Sequence, residues 1–318
     1  MTFFVKNILF KTFTAIFLVG AIVLTVLSFV DLPTGSINHH AEQSDYNLTF
    51  KKDNLTDIQY SQVSSTCKLD IMTPSKHDSL LPVIIYFHGG GWVGGEKEFY
   101  TDFCSRLVTK GFMVVNVDYR VIGEASFPAF LEDAVWAYNW VNRNITRYGG
   151  DSANIFLCGD SAGAHISALC ANALTNPDFP SRYNIDTAPL KNIRALGLLC
   201  GIYDMTLFND LDLAEDMVAA LLDKKTLKQA KERADDLTIA GNISEEYPPC
   251  FLTTCYYDFV ADQLKPMADS LKEYNIKHET LVYDETHTQL GHCYQIYYYP
   301  ESKECIEKMT DFFLSCCV

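Results

Sequence analysis

The sequence predicts an α/β architecture: a mostly parallel central sheet with helices on both faces. Three observations carry that prediction. Short apolar, β-branched runs recur along the chain, with the length and make-up of strands covered on both sides. Helical patterns separate these runs, and alternating strand and helix units pack as parallel sheets. The composition is that of a globular protein, with 318 residues, 48% hydrophobic, 20% charged, 17 Gly and 11 Pro. That excludes collagen, coiled coil and wholesale disorder.

The elements follow in chain order. Residues 12–30 carry no charge and as a helix would reach about 28 Å, close to the ~30 Å hydrocarbon core of a bilayer. The run is longer than a usual signal-peptide apolar region, and no Ala-x-Ala-like site follows it. Residues 1–30 are therefore expected to be a signal-anchor, with a cleaved signal peptide as the alternative. Lys6 and Lys11 precede the run, whereas Asp31, Glu42 and Asp45 follow it. The positive-inside rule then puts the following domain outside the cytoplasm, membrane-anchored or, after cleavage, secreted. Residues 31–55 read as a polar tether, and 56–318 as the folded domain.

Strands are predicted at 67–72, 83–88, 113–119, 154–159, 195–202, 250–257 and 279–283. Helices are predicted near 98–110, 128–143, 162–174, 264–274 and 302–315. No repeat of ~20–50 residues is present. Residues 205–247 separate their flanking strands by far more than the usual short connection, and a long insertion of this kind reads as a cap over a site.

Charge and cysteine narrow the function classes. The net charge is −15, and the first 30 residues hold only Lys6 and Lys11, so the folded domain is more acidic still. Such a surface repels phosphate backbones and argues against nucleic-acid binding. The 11 Cys show no Cys-x-x-Cys or His/Cys ligand spacing, so no metal is expected. Cys158, Cys200, Cys250 and Cys255 fall in apolar runs and read as small buried hydrophobes. In an oxidising compartment a few cysteines would pair.

Two motifs carry chemistry. Gly159-Asp160-Ser161-Ala162-Gly163 follows a strand and opens a helix. A serine on so sharp a turn needs glycines beside it, so that strand and helix can approach closely. His88-Gly89-Gly90-Gly91-Trp92 follows the strand VIIYF. Glycines there expose backbone N–H groups, which suits an oxyanion hole formed by Gly89 or Gly90 together with Ala162. His88 begins that loop and reads as structural.

In this order the two motifs resemble the α/β-hydrolase fold. More narrowly they resemble the esterase/lipase families with a His-Gly-Gly-Gly signature, including hormone-sensitive-lipase-like and feruloyl- or acetyl-esterase-like members. The resemblance spans about residues 56–315. It takes in Asp118-Tyr119-Arg120, Phe127-Pro128-Ala129 with Asp133, and Tyr148-Gly149-Gly150-Asp151. The chain lacks the longer amino-terminal cap of hormone-sensitive-lipase-like members, which favours smaller-capped esterases. On this fold the triad runs Ser, acid, His. The resemblance implies Asp258, right after the strand CFLTTCYY, as the acid, with Asp204 and Asp262 as rivals. It implies His292 as the base, with His287 as the rival. His165 reads as a packed or site-wall histidine. Trp92 and the 205–247 insertion are expected to wall the substrate pocket.

These readings imply a serine carboxylic-ester hydrolase acting on small or short-acyl esters, with no metal or organic cofactor. An amidase-type hydrolase such as an arylformamidase needs the same triad. A non-catalytic cell-surface interaction module is the alternative of another class.

Overall fold

The computed structural model describes residues 55–177, 179, 193–210, 220–222 and 234–318. The expected signal-anchor, the tether up to residue 54, and residues 211–219 and 223–233 of the cap insertion lie outside the described residues. Among the described residues, no helix is long and apolar enough to cross a membrane.

Eight strands form one sheet: β1 (Ile58–Gln59), β2 (Lys68–Met72), β3 (Leu81–Phe87), β4 (Met113–Val117), β5 (Gly150–Asp160), β6 (Ile193–Leu199), β7 (Cys250–Cys255) and β8 (His278–Tyr283). Their order across the sheet is β1-β2-β4-β3-β5-β6-β7-β8. The first two strands run antiparallel at one edge, and the remaining six are parallel. Seven strands sit where the apolar runs predicted them. The two-residue β1 is too short to leave a periodicity in the sequence. β5 starts four residues before its predicted run, because Gly150 and Asp151 pair with Leu81 and Pro82 across a register irregularity.

Among the described residues, five α-helices cover the sheet: α1 (Thr101–Val108), α2 (Ala129–Asn144), α3 (Ala162–Thr175), α4 (Leu264–Glu273) and α5 (Pro300–Leu314). The alternation of strand side chains divides the core in two. Val83, Ile85 and Phe87 of β3 face the cluster that holds Phe130 and Val141 of α2, Ala164 and Leu169 of α3, and Met267 of α4. Ile84 and Tyr86 face the opposite cluster, with Phe103 and Leu107 of α1 and Ile306, Met309 and Phe313 of α5. The α5 helix starts at Pro300, whose missing N–H is one of the unpaired donors of a helix start; Ser302 completes a capping box with Tyr299.

Beyond β4, Arg120 reaches back to Asp133 of α2. Its Nη2 donates to Oδ1 at 2.7 Å, and its Nε and backbone N–H also reach the carboxylate. Asp133 is fully buried and the Arg120 side chain is 12% exposed, so the pair fixes the β4–α2 connection around a carboxylate that water does not reach. Removing one partner of a buried pair leaves an uncompensated charge. Arg120→Ala is expected to lower unfolding stability by about 3–5 kcal/mol, read from urea denaturation, and a loss below about 1 kcal/mol would refute this role for the pair.

Candidate active site

The candidate side chains converge beyond the carboxyl ends of the parallel strands, where ligands bind in open α/β sheets. Ser161 stands between β5 and α3 at φ 51° and ψ −119°, a conformation that a residue with a Cβ adopts only under strain. Its N–H donates to the Leu199 carbonyl of β6 at 2.8 Å. The turn depends on its glycines: a Cβ on Gly163 would lie 2.0 Å from the Phe87 carbonyl oxygen, and one on Gly159 would lie 2.4 Å from the Gly163 backbone.

Three chain-distant residues meet in a line. His292 Nε2 lies 2.9 Å from Ser161 Oγ, and His292 Nδ1 lies 2.7 Å from Asp258 Oδ1. Asp258 is buried and also accepts from the Val260 N–H at 3.0 Å and from the Thr254 hydroxyl at 3.0 Å. Burial pushes the Asp258 carboxyl upward, but the charge and hydrogen bond of His292 and the Val260 N–H outweigh it and hold the carboxyl below its ordinary value. Burial works against the His292 cation as well. The Cys293 sulfur and the Asp258 carboxylate outweigh it and raise the imidazole well above its ordinary value. The ring also packs under Phe259, with centroids 4.3 Å apart.

The rivals stand elsewhere. His287 bonds Asp284 at 3.0 Å. Asp204 accepts from the Thr206 N–H and hydroxyl, and Asp262 is exposed.

The glycine loop requires a correction. Gly89 does not offer a free donor, because its N–H donates to Asp160 Oδ1 at 2.9 Å. Asp160 is buried and accepts from Tyr86 at 2.6 Å and Tyr100 at 3.1 Å as well. Among the described residues, the N–H groups of Gly90 and Gly91 bond nothing. Ala162 is the first residue of α3, so its N–H has no intrahelical partner. The free donors are therefore Gly90, Gly91 and Ala162. Sequence reasoning missed Gly91, although the third glycine of the string was the available signal.

Trp92 requires a second correction. It is only 1% exposed and so walls no open pocket. Its Nε1–H donates to His165 Nδ1 at 3.1 Å, and its backbone turns at φ 60°. The other nitrogen of His165 donates to the Leu237 carbonyl at 2.7 Å. His165 thereby joins the glycine loop, the serine helix and the carboxyl-terminal part of the insertion. His88 is locked in the same manner: Nδ1 donates to the Gly89 carbonyl at 2.8 Å, and the ring stacks on Tyr119.

All eleven cysteines are free thiols, and nine are buried. Among the described residues, one group has donors close enough to hold a metal ion: Cys200, Asp258 and His292, within 4.8 Å of one another.

The sequence profile of the BD-FAE family matches residues 69–270, well over half the chain. The chain belongs to the BD-FAE family. It is 27% identical over 257 residues to the isoprenylcysteine alpha-carbonyl methylesterase ICME of Arabidopsis thaliana, covering 78% of this chain and 60% of that protein. It is 28% identical over 239 residues to the probable carboxylic ester hydrolase LipM of Mycobacterium tuberculosis, covering 72% and 54%. The chain thus spans between about half and three fifths of these relatives. Esterase B from Lactobacillus rhamnosis superposes with a TM-score of 0.74 at 20% identity, over 82% of this chain and 84% of that one. A Pyrobaculum calidifontis esterase superposes at 0.63 and 23%, over 78% and 81%. The fold of this BD-FAE member is the α/β-hydrolase fold.

Burial drives the His165 pKa down from 6.5 to about 4. Between those values the unfolded chain takes up a proton that the folded chain refuses, so stability rises with pH through this window and is lost as pH falls from 6.5 to about 4. The contribution is on the order of 3 kcal/mol. In His165→Gln the unfolding free energy should depend less steeply on pH across that window; a slope equal to the wild type would contradict this.

Proposed function

We propose that this protein is a serine carboxylic-ester hydrolase acting on small or short-acyl esters, with Ser161 as nucleophile, His292 as general base and acid, and Asp258 as the orienting carboxylate. The observation that carries the reading is the hydrogen-bonded line Ser161–His292–Asp258, at 2.9 and 2.7 Å, beside unoccupied backbone donors. The printed names of the curated relatives, a methylesterase and a carboxylic ester hydrolase, support the same reaction class.

In this mechanism Ser161 Oγ attacks the ester carbonyl while His292 Nε2 takes its proton. The Gly90, Gly91 and Ala162 N–H groups hold the oxyanion, each such donor contributing about 3 kcal/mol. The imidazolium then protonates the leaving alcohol, and water resolves the acyl-enzyme by the reverse path. Asp258 remains ionised and holds the Nδ1–H tautomer. The proposed place of work is extracytoplasmic, by way of the apolar run at 12–30, and protease protection of intact cells would test it.

Turnover of p-nitrophenyl esters from acetate to palmitate should peak on short chains and fall by about 10⁶ in Ser161→Ala. A peak at palmitate would redirect the reading to a lipase, and anilide turnover without ester turnover to an amidase.

The pH profile follows from His292. Only the neutral ring accepts the serine proton, and its pKa lies above the ordinary 6.5. The kcat/KM should therefore rise with pH along a limb centred above 6.5. Asp258→Asn removes a charge that favours the cation, so the limb should move toward acid while kcat drops by about 10⁴. An unmoved limb would show that Asp258 does not set the histidine.

A further inference from the structure

The Cys200 thiol, the Asp258 carboxylate and a ring nitrogen of His292 lie within 4.8 Å of one another. They are 58 and 34 positions apart in sequence, which is why no ligand spacing shows. Cys200 follows β6, Asp258 follows β7 and His292 follows β8, so the sheet itself brings the three together. Cys200 holds its sulfur there at φ 50°, in the left-handed region that a residue with a Cβ seldom occupies. We propose that Cys200, Asp258 and His292 bind one thiophilic divalent cation, Zn²⁺ or Cd²⁺, and that its binding switches the hydrolase off.

The donor set fits. One thiolate, one imidazole and one carboxylate are borderline-soft ligands of the zinc type, and three protein ligands leave a fourth position for water. Zinc lies about 2.3 Å from sulfur and about 2.0–2.2 Å from nitrogen or oxygen. The Asp258–His292 contact of 2.7 Å therefore has to open slightly and the thiol to close in, each by roughly 1 Å or less. The thiolate and the carboxylate neutralise the cation, so no net charge is buried. Cys200 and Asp258 are 1% and 5% exposed, whereas the His292 side chain is 18% exposed and opens the way in.

Binding is a ligand exchange with no redox step. The cation takes the place of the thiol proton, which leaves to water, while the Nδ1 proton of the neutral ring moves to Nε2, so one proton is released for each cation bound. With Nδ1 metallated, neutral His292 can carry a proton only on Nε2, the nitrogen that faces Ser161 Oγ. A ring protonated there cannot accept the serine proton, so the base is lost.

The switch rests on the proposed hydrolase, but the site does not, and the experiment separates them. The purified full chain, with the two less buried thiols changed by Cys316→Ser and Cys317→Ser, is titrated with CdCl₂. The readouts are the ultraviolet Cd–thiolate charge-transfer band and calorimetry. The band should saturate at one equivalent, and EDTA should remove it. Cys200→Ser should abolish the band, and His292→Ala, at a partly exposed position, should weaken binding at least about tenfold. No band, or a band unchanged in Cys200→Ser, overturns the site. In parallel, ZnCl₂ should stop p-nitrophenyl acetate turnover reversibly, and Cys200→Ser should need at least about tenfold more zinc for the same inhibition. Zinc bound with turnover intact overturns the switch. A metal-free chain that hydrolyses no ester refutes the hydrolase reading, while the cadmium arm still decides the site.

Discussion

The geometry of the site depends on one close approach, where the end of β3 runs against the turn that presents Ser161. The Phe87 and His88 carbonyls lie where a side chain on Gly163 would be. Across the same gap the buried Asp160 carboxylate takes the Gly89 N–H. A buried carboxylate must be satisfied on all sides, and two tyrosine hydroxyls complete its set. The glycine loop is thus tied at its root and free at Gly90 and Gly91. Donors held in this manner need no reorganisation when charge appears before them.

A second tie runs through His165. Its two ring nitrogens have opposite tasks, one accepting from Trp92 and the other donating to Leu237. A single neutral tautomer satisfies both, and burial maintains that neutrality. Through this ring the segment that closes the insertion is fastened to the serine helix. Residues 220–222 touch the same region, because the Phe127 N–H donates to the Leu221 carbonyl.

Much of this was legible in the sequence, for physical reasons. Strands buried on both faces leave dense apolar runs, so seven of the eight were visible, and β1 was too short to be. The elbow and the glycine string were visible because strained backbone demands glycine. What the sequence could not reveal was direction. Gly89 and Gly90 look alike as letters, yet one N–H turns to Asp160 and the other away. Trp92 reads as a pocket wall until its indole is seen bonded to His165. Cys200 reads as one more apolar strand residue, and only the order of β6, β7 and β8 puts its sulfur beside Asp258 and His292.

Ser161, Cys200 and Cys293 all turn through the left-handed region without being glycine, at φ 51°, 50° and 57°. Each such residue costs about 1–3 kcal/mol, which the rest of the fold has to supply. A search for hardier variants would therefore be drawn to these three positions, where glycine relieves the backbone. The same replacements would remove the proposed nucleophile from one and the sulfur from the other two. Durability and reactivity compete here at single codons, and improvement by consensus or selection for heat tolerance alone would tend to erode the site before the scaffold.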